Sequence, residues 1–115
     1  MKRICVLTAT RAEYGLLKPV IVKLNAVPDL DVKIAVTGMH LSPEFGFTYK
    51  EIEKDNLIID KKIEILLSSD SPASVSKSMG LAMIGFADYF DEIHPDMLLV
   101  LGDRYETLAV CCAAM

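Results

Sequence analysis

An α/β domain built on a parallel sheet is predicted from three features of the chain. Four apolar segments have strand character, at residues 3–9, 31–37, 58–66 and 97–101. The intervals between them contain apolar residues at helical spacing. The first, second and fourth of these segments run straight into polar or glycine-bearing turns. Strands that alternate with helices in this way form βαβ units, whose strands lie parallel. Right-handed crossovers then give a Rossmann-like strand order of 3-2-1-4.

The first strand, Arg3-Ile4-Cys5-Val6-Leu7-Thr8-Ala9, is nearly continuous in apolar character, as a strand buried on both faces should be. Leu16, Leu17, Val20, Ile21 and Leu24 recur at helical spacing. Thr10 can cap the start of that helix, and Pro28-Asp29 follows its end. Residues 31–37 alternate as a strand until Gly38 breaks the pattern. A loop through Pro43 leads to a short helix near Thr48–Lys54, whose charged cluster Glu51, Glu53, Lys54 and Asp55 reads as a solvated face. The third strand is the most polar, which places it nearer an edge. Ser68-Ser69-Asp70-Ser71-Pro72 is rich in turn formers and caps a long helix from about Ala73 to Ile93. Its core positions are Val75, Met79, Ala82, Met83, Phe86 and Phe90; these methionines and phenylalanines read as packing, not as a cofactor box. Residues 97–101 form the fourth strand. Val6, Leu7, Ile34, Val36, Leu99 and Val100 are expected to be buried in the sheet.

The 115 residues suffice for one domain with its own core. Hydrophobic residues make up 52% and charged residues 24%, which argues against disorder. The net charge of -4 gives no general attraction to nucleic acid, and no apolar run has the length of a membrane span. The start, Met1-Lys2-Arg3-Ile4, reads as a strand and not as a signal peptide, because Thr8, Thr10, Arg11 and Glu13 interrupt the apolar run. A cytoplasmic location is expected. Cys5, Cys111 and Cys112 have no metal-site spacing, and neither do His40 and His94, so no metal is expected. The cysteines read as small buried residues in a reducing compartment. Tyr105 to Met115 form a helical segment without a terminating cap, glycine or proline, so the chain is expected to be part of a longer protein.

Ligands of open α/β sheets bind beyond the carboxyl ends of the strands. Three predicted loops lie there. Leu99-Val100-Leu101-Gly102-Asp103-Arg104-Tyr105-Glu106 brings an acid and a base to the sheet rim; the alternative is a helix cap and a surface arginine. The first loop, Thr8 to Gly15, has neither the Gly-x-Gly-x-x-Gly pattern nor the Walker pattern, which disfavours NAD and ATP. No cofactor is expected. Arg11 in that loop instead presents a planar charged fork at a helix start, suited to phosphate or carboxylate; the alternative is a solvated arginine. His40, in Thr37-Gly38-Met39-His40-Leu41-Ser42, can donate to a ligand or move a proton, or serve as a structural donor. His94 precedes Pro95 at a helix end, where a cation suits the dipole.

Four ordered segments carry a resemblance: Thr10–Gly15, Thr37–Ser42, Lys77-Ser78-Met79-Gly80-Leu81-Ala82 and Gly102–Glu106. Together they resemble the UDP-N-acetylglucosamine 2-epimerase family, and its hydrolysing, sialic-acid-pathway branch in particular. The resemblance implies a two-domain glycosyltransferase-B-like architecture, with residues 1–115 as an incomplete N-terminal Rossmann-like domain. It implies loss of UDP from the anomeric carbon with removal of the C2 proton, then addition of water and release of N-acetylmannosamine. Asp103 matches the family's acidic residue at the cleft. Arg11 and Arg104 match positions that meet UDP, and His40 matches a histidine that lines the cleft. A homo-oligomer at full length is expected, and residues 1–115 alone are expected to be inactive. Two alternatives share the visible loops: a hydrolysing epimerase of a UDP-diacetamido sugar from a legionaminic-acid-type pathway, and a non-catalytic Rossmann-like binding module.

Overall fold

The computed structural model describes residues 2–9, 11–37, 48–64, 71–101 and 105–115, with backbone alone for Arg11, Ala12, Tyr105 and Glu106. Along the chain the elements are β1 (Lys2–Thr8), α1 (Arg11–Asn25), β2 (Leu30–Thr37), α2 (Tyr49–Lys54), β3 (Ile59–Ile63), α3 (Pro72–Ile93), β4 (Met97–Leu99) and α4 (Tyr105–Ala114). The sheet order is β3-β2-β1-β4, and every neighbouring pair is parallel. This is the predicted order. β1 pairs with β2 over its whole length, from Lys2 opposite Leu30 to Thr8 opposite Val36.

Side chains of a strand alternate between faces, so the central strands feed two cores. Ile4, Val6, Ile34 and Val36 pack against Tyr14, Leu17 and Ile21 of α1 and Ile52 of α2. Cys5, Leu7 and Ala35 pack on the other face against Ala82, Phe86, Tyr89, Phe90 and Ile93 of α3, with Ala109 and Val110 of α4. Burial of Cys5 pushes its thiol up to about 12. Cys111 is half-buried and Cys112 exposed, so only Cys5 fits the expectation of buried cysteines.

Ser71 caps α3 through its hydroxyl, which accepts the Ser74 N–H at 3.2 Å, and Pro72 takes the first helical position. The helix ends at His94, in the left-handed region with φ 45°. Gly85 lets α3 lie close against β3: a Cβ there would stand 2.6 Å from Cγ2 of Ile63.

Several boundaries and burials differ from expectation. The buried stripe of α1 is Tyr14, Leu17 and Ile21, whereas Leu16 is 70% exposed and Val20 also faces outward. Successive helical residues are rotated by about 100°; the apolar run satisfies two overlapping stripes, and Tyr14 selects one. Met83 is likewise exposed, a neighbour of the buried Ala82 but off its face. β3 and β4 are shorter than predicted. Leu99 and Val100 are half-buried because β4 lies at the end of the sheet, with β1 as its one neighbour among the described residues. β3 forms the other edge, and Asp60, Lys61 and Lys62 give it the charge that discourages edge pairing. Asp55 is more than part of a solvated face. It accepts the Tyr14 hydroxyl at 2.6 Å and pairs with Lys18 at 3.1 Å, tying α2 to α1. These contacts hold its carboxyl below the usual range, the tyrosine hydrogen bond contributing most.

A polar network closes the amino ends of the strands. Arg3 donates its Nε to Asp31 at 2.8 Å and an Nη to the carbonyl of Ile93. The Arg3 N–H donates to the Asp96 side chain, and the Asp96 N–H returns to the Arg3 carbonyl, both at 2.8 Å. Lys33 bridges Asp31 and Asp60, and the Tyr89 hydroxyl donates to Asp60 at 2.6 Å. The start of β4 is thereby fixed beside β1, which sets the position of both strands' opposite ends.

Candidate functional site

All strands of the sheet point the same way, so their carboxyl ends share one edge. The connections through α1 and α2 build the sheet outward from β1 through β2 to β3. The connection through α3 then returns across the sheet to place β4 on the other side of β1. The strand order therefore reverses between β1 and β4. At such a switch point the loops leave the sheet toward opposite faces and open a crevice, where open α/β sheets hold their ligands.

β1 and β4, the two strands at this switch point, lead into α1 and α4. β2, which precedes the β2–α2 connection, is the other neighbour of β1. The connections that follow these three strands carry the candidates from the sequence. Arg11 is the first residue of α1, and its side chain lies outside the described residues. His40 falls between β2 and α2, and Asp103 and Arg104 fall between β4 and α4; all three lie outside the described residues. The strands that precede these segments, β1, β2 and β4, end at one edge of the sheet.

The carboxyl ends of β1 and β2 are tightly packed. Thr8, Ala9 and Thr37 are fully buried at the strand ends. Thr37 Oγ1 donates to the Ile63 carbonyl at 2.5 Å, joining the ends of β2 and β3. Glu13 takes a structural part here that its place in the sequence does not by itself reveal. It is only 9% exposed, and its Oε2 accepts the Ala9 N–H at 3.1 Å. The signal for it was present: Thr10-Arg11-Ala12-Glu13 has the spacing of a capping box, in which a glutamate in the first helical turn reaches back to a free backbone N–H. Here it reaches the N–H one residue before the cap position.

No group of three or more His, Cys, Asp or Glu side chains converges as a metal site among the described residues. Among those residues, too, no helix is long and apolar enough to cross a membrane. A hollow of about 340 Å³ lined by Phe90, His94, Asp96, Met97 and Ala114 lies at the amino end of β4, the end opposite the crevice. Parallel α/β sheets do their chemistry at the carboxyl ends, so the crevice, not this hollow, is the candidate site.

Comparison with known proteins agrees with this architecture. The chain is 49% identical over 114 residues to the GDP/UDP-N,N'-diacetylbacillosamine 2-epimerase (hydrolyzing) of Campylobacter jejuni, covering 99% of this chain and 29% of that protein. It is 37% identical over 109 residues to the UDP-N-acetylglucosamine 2-epimerase of Neisseria meningitidis, covering 95% of this chain and 28% of that one. The chain therefore spans under a third of the length of these relatives. Its fold superposes on the Methanocaldococcus jannaschii UDP-GlcNAc 2-epimerase, solved in complex with UDP-GlcNAc and UDP, with a TM-score of 0.76 and 26% identity, covering 99% of this chain and 29% of that one. The family model for UDP-N-acetylglucosamine 2-epimerase matches residues 22–115, which include β2, α3, β4 and the segment with Asp103 and Arg104. A parallel sheet that switches at β1 and β4, and sequence similarity along the whole chain, lead to one conclusion: this chain belongs to the UDP-N-acetylglucosamine 2-epimerase family.

Proposed function

We propose that the protein hydrolyses a UDP-linked 2-acetamido sugar with inversion at C2, and that the crevice between β1 and β4 supplies one wall of its active site. The observation that carries this reading is the coincidence of family and topology. The family model covers the β4–α4 segment, and the strand from which that segment leaves, β4, lies beside β1, which leads into α1.

The reaction breaks the C2–H bond, whose electron pair forms a C1=C2 double bond as the C1–O bond to UDP breaks. Water then adds its oxygen to C1, and a proton is delivered to C2 from the other face. The released sugar is the 2-epimer, together with UDP. Removing a weakly acidic carbon proton needs a positioned base, and the departing diphosphate needs positive donors. Asp103 is assigned to proton transfer. Arg11 and Arg104 are assigned to the UDP moiety, for which a guanidinium fork at a helix start is well suited. His40 is assigned to the wall of the cleft.

Two substrates fit. UDP-N-acetylglucosamine would give N-acetylmannosamine for sialic acid synthesis. An N,N'-diacetylated UDP sugar is favoured by the higher identity to the Campylobacter jejuni relative, 49% against 37% for the Neisseria meningitidis one. The test is product analysis by proton NMR, with protein from the complete reading frame and each UDP sugar in turn. Turnover of either to free 2-epimer and UDP supports the reaction and identifies the sugar. Turnover of neither refutes the proposal.

A further inference from the structure

We infer that the outer face of α3 is an interface with a second copy of this chain, the two α3 helices crossing antiparallel about a two-fold axis at Ile84. This contact supplies a surface for the homo-oligomer expected at full length. α3 turns Ala82, Phe86, Tyr89 and Ile93 into the core. Ile84 stands on the opposite side, about 200° around the helix from both Ala82 and Phe86. It is 67% exposed, and Leu81 is 41% exposed. Lys77, Leu81, Ile84, Ala87 and Asp91 are all exposed. They follow one another at steps of three or four residues, so they form a single stripe along the helix.

The stripe has the same spacing read in either direction from Ile84. An antiparallel copy with Ile84 against Ile84 therefore sets Lys77 opposite Asp91 of the partner subunit, and Leu81 opposite Ala87 of the partner subunit. A cation meets an anion, and a large side chain meets a small one. Each match occurs twice, as a self-complementary two-fold contact requires. Lys77 and Asp91 lie about 10 Å along the axis from Ile84. A near-antiparallel crossing of about 20° keeps both ends of the stripe within reach.

The charges of α3 are also poorly placed for a helix that stands alone. Asp88, Asp91 and Glu92 lie near its carboxyl end, and the last turn has no basic residue. Acids there meet the negative end of the helix dipole. Lys77 and Asp91 form no ion pair among the described residues. An antiparallel partner brings a lysine to the acidic end, and burial of Leu81 and Ile84 drives the association.

The experiment is sedimentation equilibrium on protein from the complete reading frame, with thermal melting as the folding control. The wild type should contain a dimer. Ile84→Glu sets like charges together on the axis and should raise the dimer dissociation constant about 100-fold or more. Lys77→Asp and Asp91→Lys should each raise it about 10-fold, because both cross-axis pairs become like-charged. A mixture of these two variants should form a heterodimer within about 3-fold of wild-type affinity, since each supplies the charge that the other lacks. A monomeric wild type overturns the inference and leaves the stripe to another protein or to chain outside residues 1–115. A folded Ile84→Glu protein that associates like the wild type overturns it too. Failure of the mixture to recover affinity overturns the antiparallel register.

Discussion

Replacing Gly85 by alanine should change sign as a stability mutation according to what stands at Ile63. In the wild type the new Cβ would lie 2.6 Å from Cγ2 of Ile63, closer than real Cβ atoms come to their neighbours. Ile63 is β-branched and buried, so its methyl has little freedom to retreat. Alanine gains about 1 kcal/mol over glycine in a helix interior, but overpacking a core of this kind costs about 1–3 kcal/mol. The net effect is a loss of about 1 kcal/mol. Ile63→Ala alone should cost about 2–4 kcal/mol, as for other large-to-small core changes. It also removes Cγ2. In that background Gly85→Ala should therefore stabilise by about 1 kcal/mol, giving a coupling near 2 kcal/mol. Urea denaturation of the four proteins reads these values from the midpoints at constant slope. A destabilising effect of the same size in both backgrounds would show that the close approach of α3 to β3 does not govern Gly85.

Further outcomes follow from the site and the polar network. Arg11→Ala should weaken UDP binding by about 1.5–3 kcal/mol, the worth of a charge-assisted hydrogen bond, with an almost unchanged melting temperature; Arg11→Lys should recover only part of the loss, because an ammonium lacks the planar fork. Asp103→Asn should keep the fold and cut turnover by roughly 10²-fold or more, the usual contribution of a positioned acid or base. The Arg3 hydrogen bond holds the Asp31 carboxyl below its ordinary range, so its stabilisation is present above about pH 4, the unfolded value, and is lost as pH falls through the lower folded value. Arg3→Met should flatten the acid limb of the stability–pH curve there; an unchanged limb would remove Asp31 as its cause. At pH 8 a thiol reagent should modify the exposed Cys112 well before Cys5, whose buried thiol titrates near 12.

Where the sequence pattern had one solution, it predicted the structure. The run Ile4-Cys5-Val6-Leu7 is apolar on both faces, and it became the fully buried strand between β2 and β4. Ser71-Pro72 marked the start of α3 because a capping hydroxyl and a proline suit only that end of a helix. The pattern failed where two solutions overlapped. Leu16 and Val20 are as apolar as Leu17 and Ile21, and only the packing of Tyr14 chose between the stripes. Burial of Leu99 and Val100 depended on what flanks β4, which local sequence does not encode. At the site, the strand–loop–helix grammar identified the strands whose carboxyl ends share one edge, because strand order follows from crossover handedness. Glu13 escaped notice because a capping-box glutamate reads as a local feature until its burial is seen.

Solvent deuterium incorporation tests the central claim most directly. The claim is that carbon–hydrogen cleavage at C2 accompanies loss of UDP at this crevice, with Asp103 in proton transfer. Protein from the complete reading frame, supplied in D₂O with the UDP sugar it turns over, should release a free 2-epimer carrying one deuterium at C2, along with UDP. Asp103→Asn should slow that release by roughly 10²-fold or more without altering the label. A product that retains protium at C2, a sugar still attached to UDP, or a folded Asp103→Asn variant with wild-type turnover would contradict the account.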